Sequence, residues 1–271
     1  MFEIRSVSEF LNEYKLLKTI GKSKISVIKE IQSKIDNKIY VVKIVEKKKN
    51  KYIYNEYNIL KKIQDIDNVI KLYDVFEDEQ YFLLILEKLK QPDISEHLTE
   101  KGPMKILNVK KIIYVIAKIL IKLHERGIVH VDIKPDNIMC SYTGQIYLFD
   151  FGLSREINEL SDCCSGTIYY VSPEIIRNIH SQENIKIGKE IDIWSLGITM
   201  YVMLFRQYPF FSVNESEIPK LILNCHIKDN DKFKTLDADA QDLLYKCLKK
   251  NPDERIYLHE IINHDWFNDD L

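Results

Sequence analysis

The sequence lacks an excess of charge of either sign. Its 271 residues include 39 lysines and arginines against 41 aspartates and glutamates, which gives a formal net charge of −2 at pH 7. General nucleic-acid binders and membrane-surface binders carry a large basic surplus, so the near balance argues against both classes. We therefore expect neither a nucleic-acid partner nor membrane association.

The sequence also lacks the cysteine spacing of a disulfide framework or of a CxxC zinc site. Its five cysteines are Cys140, Cys163, Cys164, Cys225 and Cys247. This pattern favours reduced thiols in a cytoplasmic or nuclear protein. The adjacent Cys163 and Cys164 leave a redox pair as the less favoured alternative.

Hydrophobic runs long enough to cross a bilayer are missing as well. The apolar stretch 112–123 is interrupted by Lys118 and Lys122, and the stretch 193–205 is too short. Both are typical of helices buried in a protein core. The first fifteen residues are too charged for a secretory signal.

The pattern along the chain changes near residues 90–93. Before that point, β-branched and aromatic residues predict five strands and one main helix, at 14–20, 26–33, 39–46, 69–76 and 81–89 for the strands and 53–63 for the helix. After it, apolar spacing predicts helices at 105–126, 192–205, 217–225, 237–249 and 257–263. We expect an α+β protein with two lobes, a hinge near Glu87–Leu89, and a nucleotide site in the cleft between the lobes.

Polar residues in separated stretches supply the parts that phosphoryl transfer requires. Lys43 lies on the third predicted strand, where it can reach phosphates, and Glu56 on the next helix can pair with it. Asp132 can accept a hydroxyl proton. Asn137 and Asp150 offer hard oxygen ligands for a divalent metal. Each is a weak signal alone, but their order and spacing together are specific.

With these residues in order, the chain resembles the eukaryotic protein kinases from about residue 14 to residue 267. The resemblance extends to "GTIYYVSPE" at 166–174, "DIWSLG" at 192–197 and "NPDER" at 251–255. It implies a kinase domain at 14–267 after a short lead at 1–13, with the amino-terminal lobe at about 1–88 and the carboxy-terminal lobe at 89–271. It also implies that Glu174 pairs with Arg255 and that Asp192 braces the backbone of the catalytic loop.

The resemblance further implies a serine/threonine enzyme. Lys134, two places after Asp132, is the residue that neutralises the transferring phosphate in that class, and Thr167 resembles the residue that bonds both of them. The carboxy-terminal stretch is most similar to the calcium/calmodulin-dependent group. We expect a monomer acting on protein serines and threonines. Asp93 and Asp136 match positions that select basic residues before the acceptor, although a solvated-loop role is the alternative.

The resemblance assigns ATP as the nucleotide, with Asn137 and Asp150 holding Mg²⁺, or Mn²⁺ as an alternative. Catalysis falls to Asp132 and Lys134. The implied nucleotide-binding residues are Ile20, Gly21, Lys22, Ser23, Lys24, Ile25, Ser26, Val27, Ile28, Val41, Lys43, Glu56, Glu87, Leu89, Asp93 and Met139.

The chain departs from the family pattern in the nucleotide site. Of the family's three loop glycines only Gly21 remains, because Ser23 and Ser26 take the other two places. A Cβ restricts the backbone that must approach the phosphates, so we expect a stiffer loop and weaker nucleotide binding. The adenine pocket is also crowded, by the larger residues Ile28, Val41 and Phe149. The residue guarding its back is Leu86.

A second departure concerns regulation. Val131 replaces the arginine with which the family binds an activation-segment phosphate, and Cys163 stands where the phosphate acceptor usually lies. The receptor charge and the acceptor hydroxyl are both missing. We expect activity without activation-segment phosphorylation, although Ser161 and Ser165 remain possible acceptors.

The favoured interpretation is thus an active, metal-dependent serine/threonine protein kinase. The alternative is a pseudokinase-like scaffold that keeps the fold and ATP binding without transfer. The altered loop and crowded pocket favour it, whereas the intact Lys43, Glu56, Asp132, Asn137 and Asp150 oppose it. A kinase of small molecules or lipids is disfavoured by the peptide-docking segment 166–174.

Overall fold

The structure is a computed structural model that describes residues 3–49, 52–89, 92–141, 144–161, 167–181 and 185–268. The cysteine pair Cys163–Cys164 and the candidate acceptor Ser165 lie outside the described residues. The chain forms two compact units, one of Met1–Lys90 with Asp150–Gly152 and the other of Gln91–Phe149 with Leu153–Leu271. A sheet with one main helix makes up the first unit and helices dominate the second, so the predicted α+β class is confirmed.

The first unit is built on a six-stranded sheet. Its elements are β1 (Arg5–Ser6), α1 (Val7–Glu13), β2 (Tyr14–Lys22), β3 (Ser26–Ser33), β4 (Ile39–Glu46), α2 (Ile53–Lys62), β5 (Leu72–Glu77) and β6 (Tyr81–Leu86). The strands lie in the order β1-β5-β6-β4-β3-β2. After Tyr81, every residue of β6 is buried, because this uniformly apolar strand is covered on both faces.

The sixth strand is the difference from the predicted five. Arg5–Ser6 pairs in parallel with β5, and a two-residue strand is too short to leave a period in the sequence. The Arg5 guanidinium donates to Asp74 Oδ2 at 2.9 Å. Ser6 then caps α1, whose Phe10 is buried with its ring 5.5 Å from that of Phe76. The predicted lead thus contributes to the core of the sheet.

Strand register and helix phase position the charged residues of the first unit. Lys43 lies opposite Ile28 on β3 and opposite Leu84 on β6, so it projects from the middle of the sheet. On α2, Ile53, Glu56, Tyr57 and Leu60 share the buried face because they recur every three or four residues. Glu56 therefore points into the unit and not into solvent.

The second unit surrounds one buried helix. Its helices are α3 (Ile94–Lys101), α4 (Ile106–Glu125), α5 (Pro173–Ser181), α6 (Glu190–Phe205), α7 (Ile218–Asn224), α8 (Asp231–Lys234), α9 (Ala238–Cys247) and α10 (Leu258–Ile261). Every residue of α6 from Ile191 to Met203 is buried, as expected for a helix that is apolar on all sides. Within the described ranges, no helix is long and apolar enough to cross a membrane.

Among the described residues of the second unit, three short antiparallel pairs accompany the helices. They are β7 (Ile128–Val129) with β10 (Arg155–Glu156), β8 (Ile138–Cys140) with β9 (Ile146–Leu148), and β11 (Leu160–Ser161) with β12 (Ile185–Lys186). The β8–β9 pair follows the stretch 130–137 directly along the chain. The other two pairs fix the segment after Gly152.

Candidate active site

The catalytic-loop residues converge on one carboxylate oxygen. Lys134 Nζ donates to Asp132 Oδ2 at 2.7 Å, and Asn137 Nδ2 donates to the same oxygen at 2.8 Å. Asn137 Nδ2 also donates to the Asp132 backbone carbonyl at 2.8 Å. Asp132 and Asn137 are both buried. The three side chains therefore form one cluster with a fixed geometry, as the spacing "DIKPDN" predicts.

Asp192 supports this loop from the first turn of α6. Its Oδ2 accepts from the His130 amide at 2.9 Å, and its Oδ1 accepts from the Val131 amide at 2.8 Å. His124 Nε2 lies 2.8 Å from Oδ2. Asp192 is fully buried, so these bonds satisfy a charge that would otherwise be costly. The predicted bracing role of Asp192 is confirmed.

In the first unit, Lys43 joins two carboxylates. Its Nζ lies 2.7 Å from Glu56 Oε1 and 3.0 Å from Asp150 Oδ1. Burial acts to lower the pKa of Lys43, but the charges of Glu56 and Asp150 outweigh it and the pKa lies above its ordinary value. Burial raises the pKa of Glu56, and Lys43 opposes that rise. The structure thus contains the predicted Lys43–Glu56 pair and adds Asp150 to it.

Gly152 makes room for this triad. A Cβ at position 152 would lie 3.2 Å from Asp150 Oδ1, 3.5 Å from Lys43 Nζ and 3.6 Å from Glu56 Oε2. The Gly152 amide donates to Asp150 Oδ1 at 3.3 Å. Asp150 itself has a φ of 59°, in the left-handed region. A side chain at position 152 would therefore crowd Asp150 Oδ1, while its Cβ would make ordinary contacts with Lys43 and Glu56.

The turn between β2 and β3 binds its own backbone amides. The Ser23 hydroxyl accepts from the Ile25 amide at 3.2 Å and from the Ser26 amide at 3.0 Å. The Ser23 amide in turn donates to the Ser26 carbonyl at 2.9 Å. Flanking this turn, Lys22 pairs with Val27 across the hairpin, and Lys24 is exposed at the tip. Serine at position 23 thus occupies amides that a glycine would leave to a ligand.

The other predicted nucleotide residues of the first unit lie on neighbouring strands. Gly21 pairs with Ile28 across the hairpin, and Val41 of β4 pairs with Leu86 of β6. Ile20, on β2, is 48% exposed.

The segment after β6 carries the predicted hinge residues. The Glu87 amide donates to the Lys71 carbonyl at 2.8 Å, which fixes the chain immediately after the strand. Leu89 is partly buried and is the last described residue of the first unit.

In the second unit, Asp93 has a structural use that the sequence interpretation missed. It forms an isolated bridge with Met139, and its Oδ1 accepts from the Glu96 amide at 2.8 Å as the N-cap of α3. Burial raises the pKa of Asp93, the Glu96 hydrogen bond opposes this, and the charge of Asp136 adds to it. The signal was present, since Asp followed three places later by Glu is typical of a helix start.

The segment after Gly152 is fixed by backbone bonds within the second unit. The Ile157 amide donates to the Gly127 carbonyl at 2.7 Å, and the Asn158 amide to the Ile187 carbonyl at 2.9 Å. The β10–β7 and β11–β12 pairs extend this attachment from Arg155 to Ser161.

Val131 lies in an apolar cluster that includes residues of the segment after Gly152. We call it the Val131 cluster. It consists of Val131, Ile157 and Val171 packed on the buried residues Val129, Ile175, Ile187 and Ile191. Ile157 belongs to the segment after Gly152 and Val171 to "YYVSPE". Apolar contacts therefore connect the catalytic loop to both ends of this segment. Val131 has a φ of 72°, which is rare for a β-branched residue and was not predicted.

Two other predictions from the resemblance have different outcomes. Arg255 donates to both carboxylate oxygens of Glu174 at 2.7 Å, so the predicted ion pair is confirmed. Thr167 starts a 3₁₀ turn with an exposed side chain. Within the described residues it makes no hydrogen bond to Asp132 or Lys134, because the bonds to Asp132 Oδ2 come from Lys134 and Asn137.

The comparisons with known proteins follow this geometry. Residues 14–267 match the family model of the protein kinase domain. The chain belongs to the protein kinase family. Similarity to the calcium-dependent group is also found, with the Plasmodium berghei calcium-dependent protein kinase 5 at 31% identity over 95% of this chain and 45% of the relative.

Two relatives from Dictyostelium discoideum extend the similarity. The probable serine/threonine-protein kinase fhkD is 31% identical over 97% of this chain and 38% of its own length. A probable myosin light chain kinase is 29% identical over 93% of this chain and 81% of its own length. The chain thus spans less than half the length of fhkD and of the Plasmodium kinase. The family and group predicted from the motifs are confirmed.

Proposed function

We propose that this chain is an active kinase that transfers the γ-phosphate of ATP to serine and threonine hydroxyls of proteins. The observation that carries the proposal is the convergence of Lys134 Nζ and Asn137 Nδ2 on Asp132 Oδ2, at 2.7 and 2.8 Å. These bonds fix the direction of the carboxylate, which is the group that accepts the proton of the attacking hydroxyl. Lys134 beside it stabilises negative charge on the transferring phosphate.

The residues assigned to the metal fit a hard divalent cation such as Mg²⁺ or Mn²⁺. Both side-chain hydrogen bonds of Asn137 use Nδ2, so they orient the amide oxygen Oδ1 without engaging it. The Asp150 carboxylate is 45% exposed, and Lys43 and Gly152 hold it through Oδ1. Carboxylate and amide oxygens are the ligands that Mg²⁺ prefers. When bound, the metal offsets charge on the phosphates.

Lys43 is assigned to the α- and β-phosphates. Glu56 accepts a hydrogen bond from the Lys43 ammonium group and holds it in place. The charges of Glu56 and Asp150 outweigh burial and keep the pKa of Lys43 above its ordinary value, so Lys43 is charged at neutral pH. Serine or threonine as acceptor is supported by Lys134 and by the similarity to fhkD, a probable serine/threonine-protein kinase.

The test is phosphate transfer from labelled ATP to a basic protein mixture, first with Mg²⁺ and then with Mn²⁺. Asp132→Asn should lower the rate by about 10²–10⁴-fold, the range for losing a positioned base. Asp239→Asn, at an exposed site on α9, is the matched control and should keep the wild-type rate. Equal rates for wild type and Asp132→Asn would refute the proposal.

A scaffold without transfer is the second candidate, and the Ser23 turn is the observation that favours it. With two loop amides bound to the Ser23 hydroxyl, the phosphates of ATP have fewer donors available. This candidate predicts that ATP raises the melting temperature of the wild type while no phosphate is transferred. Transfer that disappears in Asp132→Asn would exclude it.

We also propose that activity does not need phosphorylation of the activation segment, residues 153–172. In place of an arginine and a phosphate, the Val131 cluster and the two short strand pairs hold the described part of this segment. The apolar contacts of the Val131 cluster form as the chain folds, whereas a phosphate-dependent contact forms only after modification. Phosphatase-treated enzyme, verified by mass spectrometry, should keep its rate. Loss of the rate after this treatment would contradict the proposal.

A preference for basic residues before the acceptor rests on Asp93 and Asp136. The two carboxylates interact, and their repulsion contributes to the raised pKa of Asp93. A substrate arginine would relieve that repulsion. A peptide array should show enrichment of arginine or lysine that weakens in Asp136→Asn. An array without basic enrichment would remove this assignment.

A further inference from the structure

A surface cavity in the second unit, remote in sequence from the catalytic loop, gathers cationic side chains. It has a volume of about 520 Å³ and lies between the end of α7, the end of α9 and the helix α5. Its lining comprises Arg177, Asn224, Cys225, Tyr245, Leu248, Lys249, Lys250, Asn251 and Glu254. We call it the basic pocket, since it has three cations and one carboxylate in a chain whose net charge is −2.

A fourth cation extends this charge through Tyr245. Lys228 Nζ lies 3.7 Å and Lys249 Nζ lies 3.9 Å from the centre of the Tyr245 ring. The nearby Lys249 and Lys228 also lower the pKa of the Tyr245 hydroxyl. Two ammonium groups on one ring repel each other, and an anion beside them would remove that cost.

In the part of the chain that the structure describes, the cations around the basic pocket lack carboxylate partners. Over the described ranges, neither Arg177, Lys228, Lys249 nor Lys250 forms an ion pair. Lys246, one turn earlier on α9, contrasts with them because its Nζ lies 2.6 Å from Asp242 Oδ2. Glu254, the acidic member of the lining, instead accepts a hydrogen bond from Asn251 Nδ2 at 3.3 Å. The lining therefore carries a net positive charge that is not neutralised by ion pairs.

We propose that the basic pocket binds a phosphate dianion, either free or as the phosphomonoester of a phosphorylated protein segment. The chemistry matches, since a guanidinium, ammonium groups, amide N–H groups and a phenol all donate to phosphate oxygens. The volume exceeds that of a phosphate alone and falls in the range of ligand sites, which leaves room for the residue carrying the phosphate.

The test is fluorescence anisotropy of a labelled peptide with one phosphoserine and neutral flanks, using the full chain without nucleotide. The unphosphorylated peptide and a peptide with glutamate in place of phosphoserine are controls that show whether binding requires the phosphate group. We expect binding of the phosphopeptide alone, weakening as salt is added. Lys249→Gln with Lys250→Gln should reduce affinity by about ten-fold or more. Lys246→Gln is the matched control and should bind as the wild type does.

Competition distinguishes the two sources of the phosphate. If inorganic phosphate displaces the labelled phosphopeptide at the same concentration as the unlabelled phosphopeptide does, the pocket is assigned to the free anion. Displacement only by the phosphopeptide would assign it to a phosphorylated segment. Equal binding of the phosphorylated and unphosphorylated peptides, or an unchanged affinity in the double variant, would overturn the proposal. Because nothing is transferred, the result is independent of catalytic activity, and Asp132→Asn should bind the phosphopeptide equally well.

Discussion

The Val131 amide donates a hydrogen bond to Asp192 Oδ1 at 2.8 Å while Val131 has a φ of 72°. A β-branched residue in this region costs about 1–2 kcal/mol, so the bond holds the chain in a conformation it would otherwise leave. The same carboxylate accepts from the His130 amide at 2.9 Å. The direction of Asp132, the next residue, thus depends on a helix that begins far along the chain.

Removing that carboxylate should release the loop. Asp192→Ala leaves one buried and one partly buried amide without acceptors, and we expect the free energy of unfolding to fall by about 3 kcal/mol. Val131→Gly relieves the strain of the positive φ in the wild type, so it should cost more stability in the Asp192→Ala background, where that strain is already released. Urea unfolding of the four proteins measures this coupling. Strictly additive effects would show that Asp192 does not hold the strained conformation.

What the sequence predicted well is what depends on local pattern or on family motifs. The strand predicted at 39–46 matches Ile39–Glu46, because β-branched and aromatic residues predominate in this stretch. The left-handed conformation of Val131 was missed because its cause, Asp192, is 61 residues away. The strand Arg5–Ser6 was missed for a similar reason, since it pairs with Phe76 and Glu77, which lie far along the chain. Distant partners leave no period in the sequence.

Replacing Lys43, the partner of Glu56, by a neutral residue should make the free energy of unfolding depend on pH in a distinctive way. Lys43→Met leaves Glu56 buried with an uncompensated charge, which should cost about 3 kcal/mol at pH 8. A carboxyl whose pKa is raised in the folded state stabilises it at low pH and loses that contribution as pH rises. The loss of unfolding free energy in Lys43→Met should therefore be smaller at pH 5 than at pH 8. Urea unfolding at both pH values measures this difference.

Two controls separate charge from packing at this site. Lys43→Met with Glu56→Gln should recover stability at pH 8, because no buried charge remains. Lys47→Met breaks a partly exposed pair with Glu77 and should cost less than about 1 kcal/mol at either pH. A deficit for Lys43→Met that is the same at pH 5 and pH 8 would contradict the assignment to Glu56.

The Arg255 guanidinium should not be replaceable by an ammonium group. Besides its two bonds to Glu174, it donates to the Glu190 carbonyl at 2.7 Å and to the Lys249 carbonyl at 2.9 Å. Lysine cannot reproduce this planar arrangement, so Arg255→Lys should lower the free energy of unfolding by about 3 kcal/mol. Arg206→Lys, at an exposed arginine that ends α6, should have little effect. Thermal unfolding of both variants decides between a specific network and a simple need for positive charge.

The Ser23 hydroxyl should weaken ATP binding by competing for loop amides. Ser23→Ala removes the acceptor that binds the Ile25 and Ser26 amides while keeping a Cβ. One hydrogen bond gained by a phosphate is worth about 1 kcal/mol, so the KM for ATP should fall about five-fold. Ser23→Gly should lower it at least as much, because it also frees the backbone.

Ser33 provides the matched control for this experiment. Its hydroxyl accepts from the Ile35 amide at 3.2 Å and from the Asp36 amide at 3.3 Å, so it makes the same kind of turn at the other end of β3. Ser33→Ala should leave the KM for ATP unchanged, which separates competition at the phosphates from a general loosening of the hairpin. A KM that rises in Ser23→Ala would mean that the hydroxyl itself binds the nucleotide. In that case the Ser23 hydroxyl would donate to a phosphate of ATP, in place of the amide contacts that a glycine at this position allows, and would not obstruct binding.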